Sequence, residues 1–205
     1  NLNFKFSNNI KYNLFPRPHF MATNPTIFDE KNKISEINKL KIFISLDKLF
    51  SLQEIEIKDL IFENANFNIN KNNYSFFLEL LNKSFKDGSL VIKNSNIFFK
   101  SLDNEVLFIN KILKMKYYYD PKEFKNIIYV DNEIFNIPFS FQSFFNKDKS
   151  KIFSQINLNL IKLKIENELN LENNKKTGKS EFVHNKLKRI IEYQIDKNFF
   201  VFHLF

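Results

Sequence analysis

Apolar side chains fall at every second position in segment after segment of this chain. Leu40, Ile42, Ile44 and Leu46 show the alternation, as do Ile55 and Ile57, then Ala65, Phe67 and Ile69, and later Ile156, Leu158 and Leu160. A period of two sends successive side chains to opposite sides of a strand, so each segment presents one apolar and one polar face. The pattern predicts a protein made mostly of sheet, one face of which needs cover.

Alternation at Leu2, Phe4 and Phe6 and again at Ile10, Tyr12 and Leu14, with Ser7 to Asn9 between, predicts a short opening hairpin. The segment Phe15-Pro16-Arg17-Pro18-His19-Phe20 follows. It is extended, because each proline fixes its own φ and restricts the residue before it, and a strand leaves such a point only at a sheet edge. Asn24-Pro25 and Asp29 to Lys33 read as a loop before the strand Leu40 to Leu46. Asp47 to Leu52 fits a single helical turn capped by Asp47, and strands are expected over 54–62 and 64–70.

The period then changes. Tyr74, Phe77, Leu78, Leu81 and Phe85 fall at helical spacing and predict one amphipathic helix near residues 73–86, opened by Asn72 or Asn73 and closed before Gly88. Alternation resumes at Leu90 and Ile92, at Ile97 and Phe99, over Val106 to Ile109, and at Leu113 and Met115. Asp120-Pro121 predicts a turn and Pro138 an edge or a bulge. The phase flips between Leu160 and Ile161, and because a one-residue slip reverses the faces, a bulge or tight turn is expected there. Asn173 to Ser180 reads as a polar turn. Strands around Ile191 to Ile195 and Phe199 to Phe205 complete a strand-dominated meander. No fixed-length repeat and no linker interrupt it, so residues 1–205 are expected to form a single β-rich module. Asn1 is no initiator methionine and a strand occupies the last positions, so the chain reads as a piece of a longer one.

Composition changes this picture in three ways. There are only 2 glycines but 27 phenylalanines, where average usage predicts roughly fourteen glycines. Turns must therefore be built from Asn, Asp, Lys and Ser, with Asn the best substitute because it tolerates positive φ. The net charge of +8 invites a reading as a nucleic-acid or anionic-membrane binder. Its lysines, however, are interleaved with Asn, Glu and Asp, and Arg17 and Arg189 stand far apart. The joint excess of Lys, Asn, Ile and Phe also matches AT-rich codons, so nucleic acid is not an expected partner, while weak attraction to anionic headgroups stays open. Cysteine is absent, which removes disulfides and thiolate metal sites, and no apolar run approaches the ~20 residues that span a bilayer as a helix.

The order of these elements resembles the N-terminal region of AsmA-like proteins. That family shows an apolar-Pro-x-Pro-x-apolar segment after a first hairpin, matched by Phe15 to Phe20, and then an alternating strand and a Leu-rich turn, matched by Leu40 to Leu46 and Leu49-Phe50-Ser51-Leu52. Its next pair of strands is similar to Ile55 to Leu60 and Ala65 to Ile69, and the Asn-Trp pair that opens its helix is similar to Asn73-Tyr74. The strand, turn and strand after the helix resemble Leu90 to Phe99. The likeness covers residues 1–170. Tyr74 in place of Trp and Ser51 in place of a turn glycine depart from the pattern, and the upstream membrane-anchoring helix of the family is not in this chain.

The resemblance implies a periplasmic protein of the Gram-negative envelope, anchored to the inner membrane upstream of this chain. Its fold would be an antiparallel sheet curled into an open, taco-like groove, and its role lipid traffic and outer-membrane assembly. Its partners would be phospholipid acyl chains and other envelope proteins. A trough of this kind holds a lipid tail through burial alone, at about 0.8 kcal/mol per sheltered methylene. The expected lining is Leu40, Ile42, Ile44, Ile55, Ile57, Phe67, Ile69, Leu90, Ile92, Ile156, Leu158 and Leu163, in contact with acyl chains and without chemical roles.

Two rival readings are a structural envelope module with a dry, filled core and an outer-membrane β-barrel fragment. The barrel should show aromatic girdles, whereas Phe is spread throughout. No catalytic function, metal or cofactor is expected. His19, His184 and His203 are widely spaced without carboxylate or Ser partners at motif spacing, two isolated glycines make no phosphate loop, and Tyr117-Tyr118-Tyr119 fits a strand.

Overall fold

A computed structural model describes residues 3–6, 9–29, 32–45, 57–73, 88–146, 150–171, 176–195 and 200–204. Their strands all belong to one open, curled sheet. At one end, β3 (His19–Thr23) and β4 (Thr26–Asp29) lie in succession along β5 (Asn32–Ile44), with Asn24-Pro25 interrupting them, while β1 (Asn3–Lys5) pairs with β4 and β2 (Ile10–Asn13) with β3. The opening hairpin read from the sequence is therefore wrong: the two segments pair with β4 and β3, not with each other. Asn32 and Lys33, read as the end of a loop, belong to β5.

From β5 the strands run in chain order through β6 (Ile57–Ile69), β7 (Ser89–Lys100), β8 (Val106–Asp120), β9 (Lys125–Ile134), β10 (Ile137–Asn146), β11 (Lys151–Leu158), β12 (Leu163–Asn170), β13 (Lys176–His184), β14 (Leu187–Ile195) and β15 (Phe200–Leu204). All neighbours along this path are antiparallel except β6 and β7, which are parallel and correct the expectation of a pure antiparallel meander. A parallel pair needs a crossover connection. The helix expected near 73–86 falls in that connection, and residues 74–87 lie outside the described residues, as does the helical turn expected at Asp47 to Leu52.

Segments that read as separate strands are single long ones with a bulge inside. Asn64 in β6 and Asn94 in β7 have φ of 54° and 47°, and the β8–β9 register shifts between Ile112 and Lys114. Each bulge resets the alternation, so Phe62 and Ala65, like Ile92 and Ser95, point to the same side. The buried Ser95 hydroxyl links two of them: it accepts from the Ala65 N–H at 2.9 Å and donates to the Lys93 carbonyl at 2.8 Å. On the other flank the Asn24 N–H donates to the Asn38 carbonyl at 2.9 Å, so the line of irregularities continues toward the sheet edge.

Asparagine takes the place of glycine, as the composition predicts. Six of the eleven described non-Gly residues with positive φ are Asn, and no glycine has positive φ. The two glycines serve close approach instead. A Cβ at Gly88 would stand 1.7 Å from the Lys58 carbonyl oxygen, and one at Gly178 would stand 2.1 Å from the Tyr193 ring. Gly178 pairs with Leu169 and Tyr193 inside β13, so the polar turn read over Asn173 to Ser180 gives way to strand from Lys176 onward.

Asp120-Pro121 does open a turn, the Asp120 carboxylate accepting from the Lys122 and Glu123 N–H groups. Pro138 pairs with Glu133 on β9 beyond the point where β11 pairing begins at Ser140, a local edge. The phase flip at Leu160 is a single 3-10 turn, Asn159–Ile161, with Lys162 at φ 52°.

Two hairpins close through type I′ geometry, with positive φ at both central residues: Phe135-Asn136 (51° and 62°) and Asn185-Lys186 (48° and 72°). Phenylalanine is poorly suited to this conformation, which costs most L-residues about 1–2 kcal/mol. Phe135→Asn is expected to stabilise the fold by about 1 kcal/mol; a urea midpoint unchanged or lower than that of the natural chain would count against this turn assignment.

Candidate apolar groove

Register converts the alternation into rows that cross the sheet. One row runs from Leu40 through Phe62, Ile92, Met115 and Val130, and continues through Phe141, Ile156, Ile165 and Phe182. Nine consecutive strands thus place an apolar side chain at one level on one face. The opposite face at the same strands carries Lys41, Glu63, Lys116, Asp131, Gln155, Glu166 and Glu181, with ion pairs such as Lys41–Glu63 at 2.9 Å and Lys188–Glu181 at 2.6 Å.

Along that row, burial divides the sheet in two. Over β3 to β9 the face is a packed core of Ala22, Ile37, Leu40, Leu60, Phe62, Phe67, Leu90, Ile92, Ile112, Met115, Tyr117 and Val130, with Ile42, Ile97, Ile128 and Phe141 against it. Between Glu133 and Ile195 no described residue is fully buried. From β10 to β14 the same apolar face is only half covered, which marks a surface available to something outside the described sheet.

The expected lining separates along this boundary. Leu40, Phe67, Leu90 and Ile92 are core residues, and Ile42 packs against them. Ile44 and Ile57 pair with each other at the end of β5 and β6 past a bulge, Ile57 being 48% exposed. Ile69 is half-buried near the other end of β6. Ile156 lies in the uncovered part, and Leu158 and Leu163 pair with each other beside the 3-10 turn. Ile55 lies outside the described residues. The expected set leaves out Phe141, Ile165 and Phe182, which continue the row; their period-two spacing carries the same signal, and only pairing register aligns them with Ile156.

A second row changes character at the same place. Ile42, Leu60, Leu90, Tyr117 and Ile128 are followed by Ser143, Ser154, Asn167 and Ser180. Here the Asn167 Oδ1 accepts from the Ser180 hydroxyl at 2.8 Å and from the Tyr193 hydroxyl at 2.7 Å. With its oxygen saturated, the amide keeps its N–H donors for another acceptor. Among the described residues, Asn132 Oδ1, at a side chain only 5% exposed between Ile112 and Phe139, has no hydrogen-bond partner, and neither have Asn110 Oδ1 and Asn126 Oδ1. The apolar face therefore carries a minority of polar atoms with free valence.

Titratable chemistry is sparse. Burial pushes the Tyr117 hydroxyl above its ordinary pKa, and the hydrogen bond to Asp131 does the same for Tyr129, so both phenols stay protonated at neutral pH. His19 is buried and held on both ring nitrogens, by the Arg17 carbonyl at 2.8 Å and by Asn13 at 3.4 Å, while His184 contacts Asn185. No group of three or more His, Asp or Glu among the described residues is placed to hold a metal. No described helix is long and apolar enough to cross a membrane. Neither a protein-family model nor a curated protein matches the sequence.

Proposed function

We propose that the chain is a non-catalytic, AsmA-like module of the Gram-negative envelope that shelters or conducts phospholipid along its apolar face. It would work in the periplasm, held at the inner membrane by a segment outside this chain, and support outer-membrane assembly together with other envelope proteins. The observation that carries the reading is the single apolar row that passes from a packed core at Leu40 to Val130 onto the half-covered strands at Phe141 to Phe182. A tail lying across β10 to β13 would replace water over Phe141, Ile156, Ile165 and Phe182, and burial alone would hold it. The donors of Asn167 and the Ser154 hydroxyl, one register row away, suit the ester or phosphate oxygens at the polar end of such a molecule.

The test is mass spectrometry of organic extracts from the natural protein against the variant Ile156→Asp/Ile165→Asp/Phe182→Asp. These positions are half-covered, so the variant should keep its strand signal, whereas Asp at Ile92 would sit in the core and unfold the protein. Phospholipid enriched with the natural chain and reduced at least about tenfold in the folded variant is the expected result. Equal lipid in both would remove the groove reading. The scaffold reading draws on the filled core over β3 to β9, and it would then be the one left standing.

A further inference from the structure

We infer that one rim of the sheet, formed by three successive hairpin tips, docks on a bilayer that contains anionic phospholipid. This goes beyond lipid sheltering and does not depend on it. The tips are Phe135-Asn136 between β9 and β10, Asn159 to Lys162 between β11 and β12, and Asn185-Lys186 between β13 and β14. They project from the same end of the sheet, because each joins an odd-numbered strand to the next even-numbered one in an unbroken antiparallel series. With ~4.8 Å between strands, neighbouring tips stand about 10 Å apart in a line.

Turn tips are ordinarily Asn, Asp, Gly or Ser. Each of these carries a large exposed apolar side chain: Phe135 is 77% exposed, Leu160 67%, and Leu187, beside the third turn, 65%. Phe135 is costly twice over, through its exposure and through its positive φ, and neither feature serves the hairpin. Cations stand at the second and third tips. A hollow of about 500 Å3 between the second and third tips is lined by Lys162, Lys164 and Lys186 with Asn185, Leu163 and Val183. Lys164 and Lys188 are matched by Glu166 and Glu181, at 2.7 and 2.6 Å. Lys162 and Lys186 have no carboxylate partner among the described residues. A line of apolar tips, two of which carry an unmatched lysine, complements an anionic bilayer surface, the apolar groups entering the interface and the ammonium groups meeting lipid phosphates.

The experiment is co-sedimentation of the chain with vesicles of phosphatidylcholine alone and of phosphatidylcholine mixed with phosphatidylglycerol. The chain should bind the mixed vesicles, bind the neutral ones weakly, and bind less as salt is raised. Lys162→Gln and Lys186→Gln should each lower partition about fivefold. Phe135→Asn/Leu160→Asn/Leu187→Ser should lower it by about tenfold or more. Asn suits the first turn better than Phe, so loss of binding by a variant that denatures no earlier than the natural chain cannot be blamed on unfolding.

Absence of binding to mixed vesicles, equal binding to both kinds, or undiminished binding by the apolar-tip variant would each overturn the inference. An acidic protein partner at this rim would show as the first of these. Vesicle binding without lipid in the organic extracts would leave docking in place and remove carriage, and lipid in the extracts without vesicle binding would do the reverse.

Discussion

Phe62→Ala is expected to cost about 3–5 kcal/mol, the range for deleting a fully buried phenylalanine that leaves a cavity. Phe62 has no exposed surface, pairs in register with Leu40 and Ile92, and meets the Phe67 ring at 6.3 Å and 63°. Atoms packed on every side cannot relax into the space. Phe182 occupies the same row seven strands away but is only half covered, so Phe182→Ala should cost about 1 kcal/mol. Urea midpoints at unchanged slope measure both. Equal losses at the two positions would mean that the far half of the face is covered as well, and the uncovered groove would then be lost as an explanation.

Asp59→Ala should cost about 3 kcal/mol, through the loss of one acceptor that serves three donors. Its Oδ1 accepts from the Ser89 N–H at 3.0 Å and the Ser89 hydroxyl at 2.7 Å, and its Oδ2 accepts from the Arg17 guanidinium at 2.8 Å. Ser89 is buried and opens the parallel pairing of β7 with β6, so its two donors would be stranded where water does not reach them easily. Arg17 also lies over the Phe43 ring at 4.7 Å, on which His19 stacks at 4.8 Å. Asp59 thereby ties the proline segment to the start of the crossover pair. Arg17 is 55% exposed at its side chain, so Arg17→Ala should cost less than about 1 kcal/mol. Asp59→Asn, which keeps an acceptor for Ser89, should fall between the two. A loss in Arg17→Ala as large as that in Asp59→Ala would shift the weight from the buried Ser89 donors to the exposed ion pair.

Much of the strand content was legible because a half-buried strand must alternate. Leu40 and Ile42, Leu90 and Ile92, and Ile156 and Leu158 all lie in strands, and the flip after Leu160 marks a real turn. What misled was the bulge. Asn64, Asn94 and the shift near Leu113 each reverse the phase inside a continuous strand, and in sequence a reversal looks the same as a break between two strands. Pairing partners were illegible for a different reason. Leu2 to Leu14 alternates as a hairpin would, but β3 and β4, lying end to end along β5, offer each segment its own edge. Gly178 was misread because a glycine usually signals a turn, whereas here it makes room for the Tyr193 ring.

For the groove, sequence supplied candidates but could not tell a lining residue from a core residue. Leu90 and Ile156 follow the same rule of alternation, yet one is buried and the other half covered. The class of structure, the apolar face and the use of Asn in place of glycine follow from the sequence alone, since each is dictated by side-chain geometry within a few residues. Which strands neighbour one another, that β6 and β7 run parallel, and where along the face cover ends were decided only in the tertiary structure. Those properties depend on contacts between residues tens of positions apart, and local periodicity carries no record of them.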